Sequence, residues 1–159
     1  MVLWDPATGN FHLSALREVA ERLHIELQIL PVKRREDLAL AFNDAEVWGA
    51  DAVNVLASPL LHALRQPIIE SVAERRLPAI YQWEESARAG GLMSYGPYRS
   101  DVYQGIARQL AEVLNGIHPA KLPVQQPTKF ELAINLKTAK TLNLAIPPAL
   151  LARADEVIE

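Results

Sequence analysis

The sequence predicts an α/β fold in which a parallel sheet lies between two layers of helices. Three observations predict it. Short apolar runs and amphipathic stretches alternate strand–helix three times before a fourth strand, the order of right-handed crossover units. Boundary residues fall where that alternation needs them, with Gly49 after one helical stretch and Ser58-Pro59 before another. Half of the 159 residues are hydrophobic and 22% are charged, which supplies one core of ordinary size.

The elements follow in order. Val2–Trp4 is apolar and stops at Asp5-Pro6. Leu13, Leu16, Ala20 and Leu23 then fall on one helical stripe, with Asn10 or Ser14 as its cap. Ile25–Val32 alternates and then turns fully apolar, as a strand does. Arg35–Trp48 has helical period, with Leu38, Phe42, Ala45 and Trp48 facing inward. Ala52–Ala57 is a buried strand, and a helix from Ser58-Pro59 runs to about Arg76, kinked or divided by Pro67. Leu77–Tyr81 is the fourth strand. Ligand loops on such a sheet begin at the strands' carboxyl ends, here Asp5, Val32, Ser58 and Gln82.

The pattern then changes. Glu84–Ala89 makes about one helical turn, stopped by Gly90-Gly91, and Leu92–Tyr95 is a strand ending at Gly96-Pro97. Ser100 caps a helix over Asp101–Asn115, with Val102, Ile106, Leu110, Val113 and Leu114 apolar and Gly116 as its stop. Ile117–Thr128 holds three prolines and reads as an irregular crossing. Phe130, Leu132 and Ile134 alternate with Glu131, Ala133 and Asn135 as a half-buried strand. Short helices over Thr138–Leu142 and from Pro147-Pro148 to Ala154 close the chain.

Several function classes drop out. A net charge of -3 argues against nucleic acid as a partner, because phosphate binding needs a dense basic surface. The one basic run, Lys33-Arg34-Arg35, meets Glu36-Asp37 at once and reads as a solvated helix entrance. There are no cysteines, so thiolate and disulfide chemistry are excluded. No apolar run is long enough to span a bilayer. The start lacks a basic, then apolar leader, so the chain as written is expected to stay in the cytoplasm. His12, His24, His62 and His118 make no metal spacing, and no metal or cofactor is expected. Neither a nucleophile elbow nor a phosphate loop is present, so catalysis is not expected. Glu84-Glu85, the one carboxylate pair beside aromatic residues, reads as the acidic first turn of a helix.

What remains is a polar and aromatic set at strand ends: Asp5, Thr8, Asn10, Ser58, Tyr81, Gln82, Trp83, Ser94 and Tyr95. Such a set binds a small polar or aromatic solute without transforming it.

The stretches "LPAIYQWEESARAGGLMSYGP" and "LPVQQPTKFELAINLKTAKTLNLAIPPALLARADEVIE" closely resemble the second half of bacterial ABC-transporter substrate-binding proteins, some of which bind tryptophan and other aromatic amino acids. The resemblance runs from Val2 to Glu159, and "GGLMSYGP" and "PTKFELAINLKTAK" are its most specific parts. It implies a type I periplasmic binding fold, with two Rossmann-like lobes closing on a solute about a hinge. Residues 1–89 and 118–159 would form the second lobe. Residues 90–117, a strand and a helix, would complete the first. The binding loops would be "DPATGN", Ser58 and "YQWEE". Asp5 and Asn10 would bond a solute amine or carboxylate, Tyr81 or Trp83 would wall it, and Ser94 and Tyr95 would line the cleft from the hinge side.

Family members commonly carry asparagine where Asp5 stands and glycine where Asn143 stands. The resemblance further implies an ABC permease as partner and a periplasmic location. The first lobe, leader and any anchor are expected to lie outside this chain, with Val2–Trp4 the end of a longer strand. The helix Asp101–Asn115 would then pack on a second copy, as a homodimer. Two other readings compete: a ligand-sensing domain of a transcription regulator with the same fold, and a small doubly wound enzyme.

Overall fold

Alternating strands and helices wind into one seven-stranded sheet in the computed structural model, which describes residues 1–159. The strands are β1 (Val2–Trp4), β2 (Ile29–Pro31), β3 (Val53–Val55), β4 (Ala79–Tyr81), β5 (Met93–Pro97), β6 (Phe130–Asn135) and β7 (Glu156–Ile158). The helices are α1 (Phe11–Arg22), α2 (Asp37–Trp48), α3 (Pro59–Ala63), α4 (Arg65–Glu74), α5 (Glu84–Arg88), α6 (Arg99–Leu114), α7 (Leu136–Thr141) and α8 (Pro148–Leu151). Strand order is β2-β1-β3-β4-β5-β6-β7. Every pair is parallel except β5 with β6.

Register explains the core. Leu3 pairs with Leu30 and Val55, and Val53 with Ala79, so these side chains share one face. There they meet Leu38, Phe42 and Ala45 of α2, Leu61 of α3, and Ile68, Ile69 and Val72 of α4. The opposite face carries Val2, Asn54 and Ile80 in one row, and α1 lies against it through Leu13, Leu16 and Ala20. This is the expected three-layer α/β/α arrangement.

Several boundaries differ from expectation, each for a local reason. Strand β2 is shorter than Ile25–Val32 because its partner β1 supplies only three residues, paired from Val2↔Ile29 to Trp4↔Pro31. Ile25 is exposed. The helix expected from Ser58 divides at Leu64, three residues before Pro67. Pro67 has no N–H and its ring would strike the Ala63 carbonyl four residues back. Restarting at Arg65 puts the proline in a first turn, where neither matters. Trp48 ends α2 and stays partly exposed instead of facing inward. Ser100 does not cap α6, which begins at Arg99. Helix α7 begins two residues early because the Asn135 Oδ1 accepts the Thr138 N–H at 3.1 Å. Helix α8 stops at Leu151, three residues short of the expected Ala154, and β7 follows as a parallel edge strand on β6 where no element was expected.

Segment 90–117 divides in two. Strand β5 is bonded into this sheet on both sides, parallel to β4 and antiparallel to β6 through five pairs from Met93↔Ile134 to Pro97↔Phe130. It extends through Gly96 and Pro97 because β6 pairs with both. Helix α6 leaves the sheet and has no buried residue. The position of Asn143 is left-handed, with φ 56°, a conformation in which glycine or asparagine is favoured.

Candidate functional site

The carboxyl ends of β1, β3 and β4 bring three loops to one edge of the sheet. The first loop is internally tied. The buried Asp5 carboxylate accepts the Ala7 N–H at 2.9 Å and caps a 3₁₀ turn over Pro6–Thr8. The Thr8 hydroxyl donates to the Asp5 carbonyl at 2.8 Å, and the Trp4 indole N–H to the Gly9 carbonyl at 2.9 Å. Asp5 and Thr8 therefore hold the loop's shape. Asn10, exposed ahead of α1, makes no side-chain cap bond and keeps its amide free.

The second and third loops meet. Ser58 caps α3, its Oγ accepting the Leu61 N–H at 2.9 Å. Ser58, Tyr81, Gln82 and Trp83 line a hollow of about 20 Å³ together with His62, Arg65 and Ser86. That volume admits about one water-sized group, so it can seat an end of a solute and not a whole one. Tyr81 is 4% exposed and its hydroxyl has no partner. Burial raises the phenol well above its ordinary pKa, so it stays a neutral donor and acceptor. Arg65 forms no ion pair, and its guanidinium reaches only the His62 carbonyl at 3.4 Å. His62 and Arg65 were not among the expected residues. Their spacing, four and seven positions after Ser58, is the helical signal that points to them.

The fifth strand contributes differently. Ser94 pairs in register with Tyr81 and is buried, its hydroxyl unpartnered. Tyr95 is half-exposed and stacks on Phe130, ring centroids 5.6 Å apart. Successive strand residues point to opposite faces, so these two do not share one wall. The structure gathers Ser58, Tyr81, Gln82 and Trp83. It sets Asp5, Thr8 and Asn10 in a neighbouring loop and Ser94 and Tyr95 on the adjoining strand.

Charges frame the third loop. Glu84 and Glu85 do form the acidic first turn of α5 but face different partners. Glu85 binds Arg99 through both carboxylate oxygens, the longer contact 2.9 Å, and the Arg99 guanidinium lies 4.6 Å from the centre of the Trp83 ring. Glu84 meets Arg88 at 3.7 Å, and Arg88 forks onto Glu156 with two bonds of 2.9 Å. Glu131 on β6 has its carboxyl pushed up to about 7, first by burial, then by a hydrogen bond with Glu84 and the charge beside it, with Arg88 opposing. Gly96 lies so close to Gln82 that a Cβ there would collide with the Gln82 carbonyl oxygen. Only glycine lets β5 pass this loop.

A larger hollow of about 640 Å³ opens at the other edge, lined by Leu16, Val19, Leu23, Trp48 and Ile80 around Asn54. It is mostly apolar and sits at the strands' amino ends. Ligands of parallel α/β sheets bind at the carboxyl ends, where polar groups converge here, so the smaller hollow marks the candidate site.

A doubly wound sheet with polar loops along its carboxyl edge is the architecture of α/β domains that bind ligands at strand ends. The chain belongs to the family described as ABC transporter substrate binding protein, whose model matches residues 5–158. Solved structures share the fold. A conserved domain protein from Vibrio cholerae O1 biovar El Tor superposes with a TM-score of 0.90 at 23% identity, covering 98% of this chain and 53% of that one. An ABC domain in complex with L-Trp, from Streptococcus pneumoniae, gives 0.89 at 21%, covering 99% and 55%. A substrate binding protein with adhesive properties from Clostridium difficile, in a ligand-free, open structure, gives 0.66 at 15%, covering 99% and 53%. The chain thus spans about half the length of these proteins. No curated protein matches its sequence. No helix is long and apolar enough to cross a membrane.

Proposed function

We propose that this chain is one lobe of an extracytoplasmic solute-binding protein serving an ABC permease, without enzymatic activity. The observation that carries the reading is the ring of Ser58, Tyr81, Gln82, Trp83 and Arg65 at the carboxyl ends of β3 and β4, in a member of a substrate-binding family. An unpaired guanidinium and a partnerless buried hydroxyl suit a solute carboxylate, and Trp83 offers an aromatic wall. An amino acid, aromatic or branched, has both ends this ring asks for. Asn10 reaches the same solute from the neighbouring loop.

A second lobe supplies the facing wall, and α6 belongs to it. Alone, the chain covers α6 with a second copy through Tyr103, Ile106, Leu110 and Leu114, which form an exposed apolar stripe. Calorimetry with L-tryptophan, L-phenylalanine and L-leucine tests the reading on this chain and on the same chain joined to a family first lobe. Saturable binding is expected in the joined protein and weak or no binding in the single lobe. Turnover of a substrate by the single lobe, or no binding by the joined protein with Arg65→Gln behaving identically, would overturn it.

A further inference from the structure

We infer that Arg99 is a positioning residue that fastens the aromatic wall of the candidate site to the segment leading out of the lobe. The inference rests on the placing of Trp83 at that site, although its test does not. Three observations meet at one point. Arg99 is the first residue of α6, directly beyond β5. Its guanidinium forks onto both oxygens of Glu85 and lies over the Trp83 ring at 4.6 Å. The exit of the β5–β6 ribbon is itself locked just beside it. The Tyr98 N–H donates to the Lys129 carbonyl at 2.9 Å, and the Lys129 ammonium sits 4.2 Å from the centre of the Tyr98 ring.

These contacts have a mechanical meaning. Glu85 belongs to α5, which follows the Gln82-Trp83 loop, and Gly96 presses on the Gln82 backbone. The loop and the ribbon exit therefore touch through backbone at Gly96 and through one side chain at Arg99. A planar guanidinium suits both tasks, since its fork matches the carboxylate and its face stacks on indole. Both groups are about one-third exposed, so solvent screens the ion pair in part and the stack in part excludes it. With one face of Trp83 covered by Arg99, a solute meets the other face or the ring edge. A solute that turns the indole must also move Arg99, and with it the first turn of α6. The site and the outgoing helix are then linked by one side-chain contact, through which a turn of the indole reaches α6.

The experiment needs no solute, so a failure of the binding reading leaves it intact. The chain is labelled with 5-fluorotryptophan, and its three tryptophan resonances are assigned with Trp83→Phe. In Arg99→Gln the Trp83 resonance is expected to shift and to show a larger solvent isotope effect, while those of Trp4 and Trp48 stay in place. Amide exchange in the first turn of α6 is expected to quicken on the order of tenfold, as a local opening loses its tether. Arg99→Lys keeps the charge without the fork and is expected to restore part of both effects; Glu85→Gln is expected to reproduce the exchange effect. An unmoved Trp83 resonance in Arg99→Gln would overturn the inference. A moved resonance with unchanged α6 exchange would also overturn it, by confining Arg99 to a local stack.

Discussion

The sheet core and helix α6 are made of similar residues and behave in opposite ways. Phe42, Leu3, Leu61, Ile68 and Ile134 are fully enclosed, whereas Tyr103, Ile106, Leu110 and Leu114 repeat at helical spacing and are more than half exposed. The amphipathic pattern alone does not separate them, since α6 is as clearly striped as α1. What separates them is whether a sheet face lies opposite the stripe. Strands β1, β3 and β4 give α2, α3 and α4 a face to cover, and α6 leaves the sheet before it can find one. An apolar stripe states a requirement for a partner, and the fold decides whether the same chain meets it.

The largest test of this contrast is Phe42→Ala. The ring is 1% exposed within the main core, so truncation is expected to cost about 3–5 kcal/mol, read from the urea midpoint at unchanged slope. A cost below about 1 kcal/mol would mean that the core is not a closed unit.

A smaller effect is expected at the ribbon between the two regions. The Glu131 carboxyl is pushed up to about 7 from an ordinary 4.5, by burial and by Glu84. A carboxyl whose folded pKa is raised binds its proton better in the folded state. Its stabilising contribution is therefore complete below about pH 4.5 and is lost as the pH rises through about 7. The neighbouring charges, Glu84 and Arg88 on α5 with Asp155 beside β7, stay in place in Glu131→Gln. That variant is expected to match the parent near pH 4.5 and to exceed it in melting temperature at pH 8. Equal pH profiles for the two would remove Glu131 from the account.

The smallest effect on stability belongs to α6 itself. Unfolded at a concentration low enough for the monomer, Leu110→Ser is expected to change the urea midpoint by no more than about 0.5 kcal/mol equivalent, because within one chain the side chain has little to lose. The same change is expected to shift sedimentation towards the monomer. A stability loss comparable with Phe42→Ala would show that α6 packs on its own sheet after all.

How much of this was legible in the sequence depends on whether a signal is local. Gly49 at φ 81° and Ser58-Pro59 at the start of α3 are chemistry of one or two residues, and both fell where expected. The length of β2 was not legible, since its limit is the length of β1 beside it, and β7 was too short to show a period. At the candidate site, Ser58, Tyr81, Gln82 and Trp83 announce themselves by standing at strand ends. Asp5 stands there too, but its carboxylate closes a turn, and position alone cannot tell a cap from a ligand group. Arg99 lies beyond an intervening strand, and only the folded sheet brings it onto Trp83.

The antiparallel pairing of β5 with β6 carries one more consequence. Residues 99–128 leave the sheet and return at a single place, where the Tyr98 N–H meets the Lys129 carbonyl at 2.9 Å. Antiparallel neighbours need no more than a tight turn to join them. The excursion is therefore a cassette: topologically, it can be shortened, lengthened or exchanged between two chains without re-threading a strand. Evolution and domain swapping act most easily at such a doorway, and in this molecule the doorway opens beside the candidate solute site.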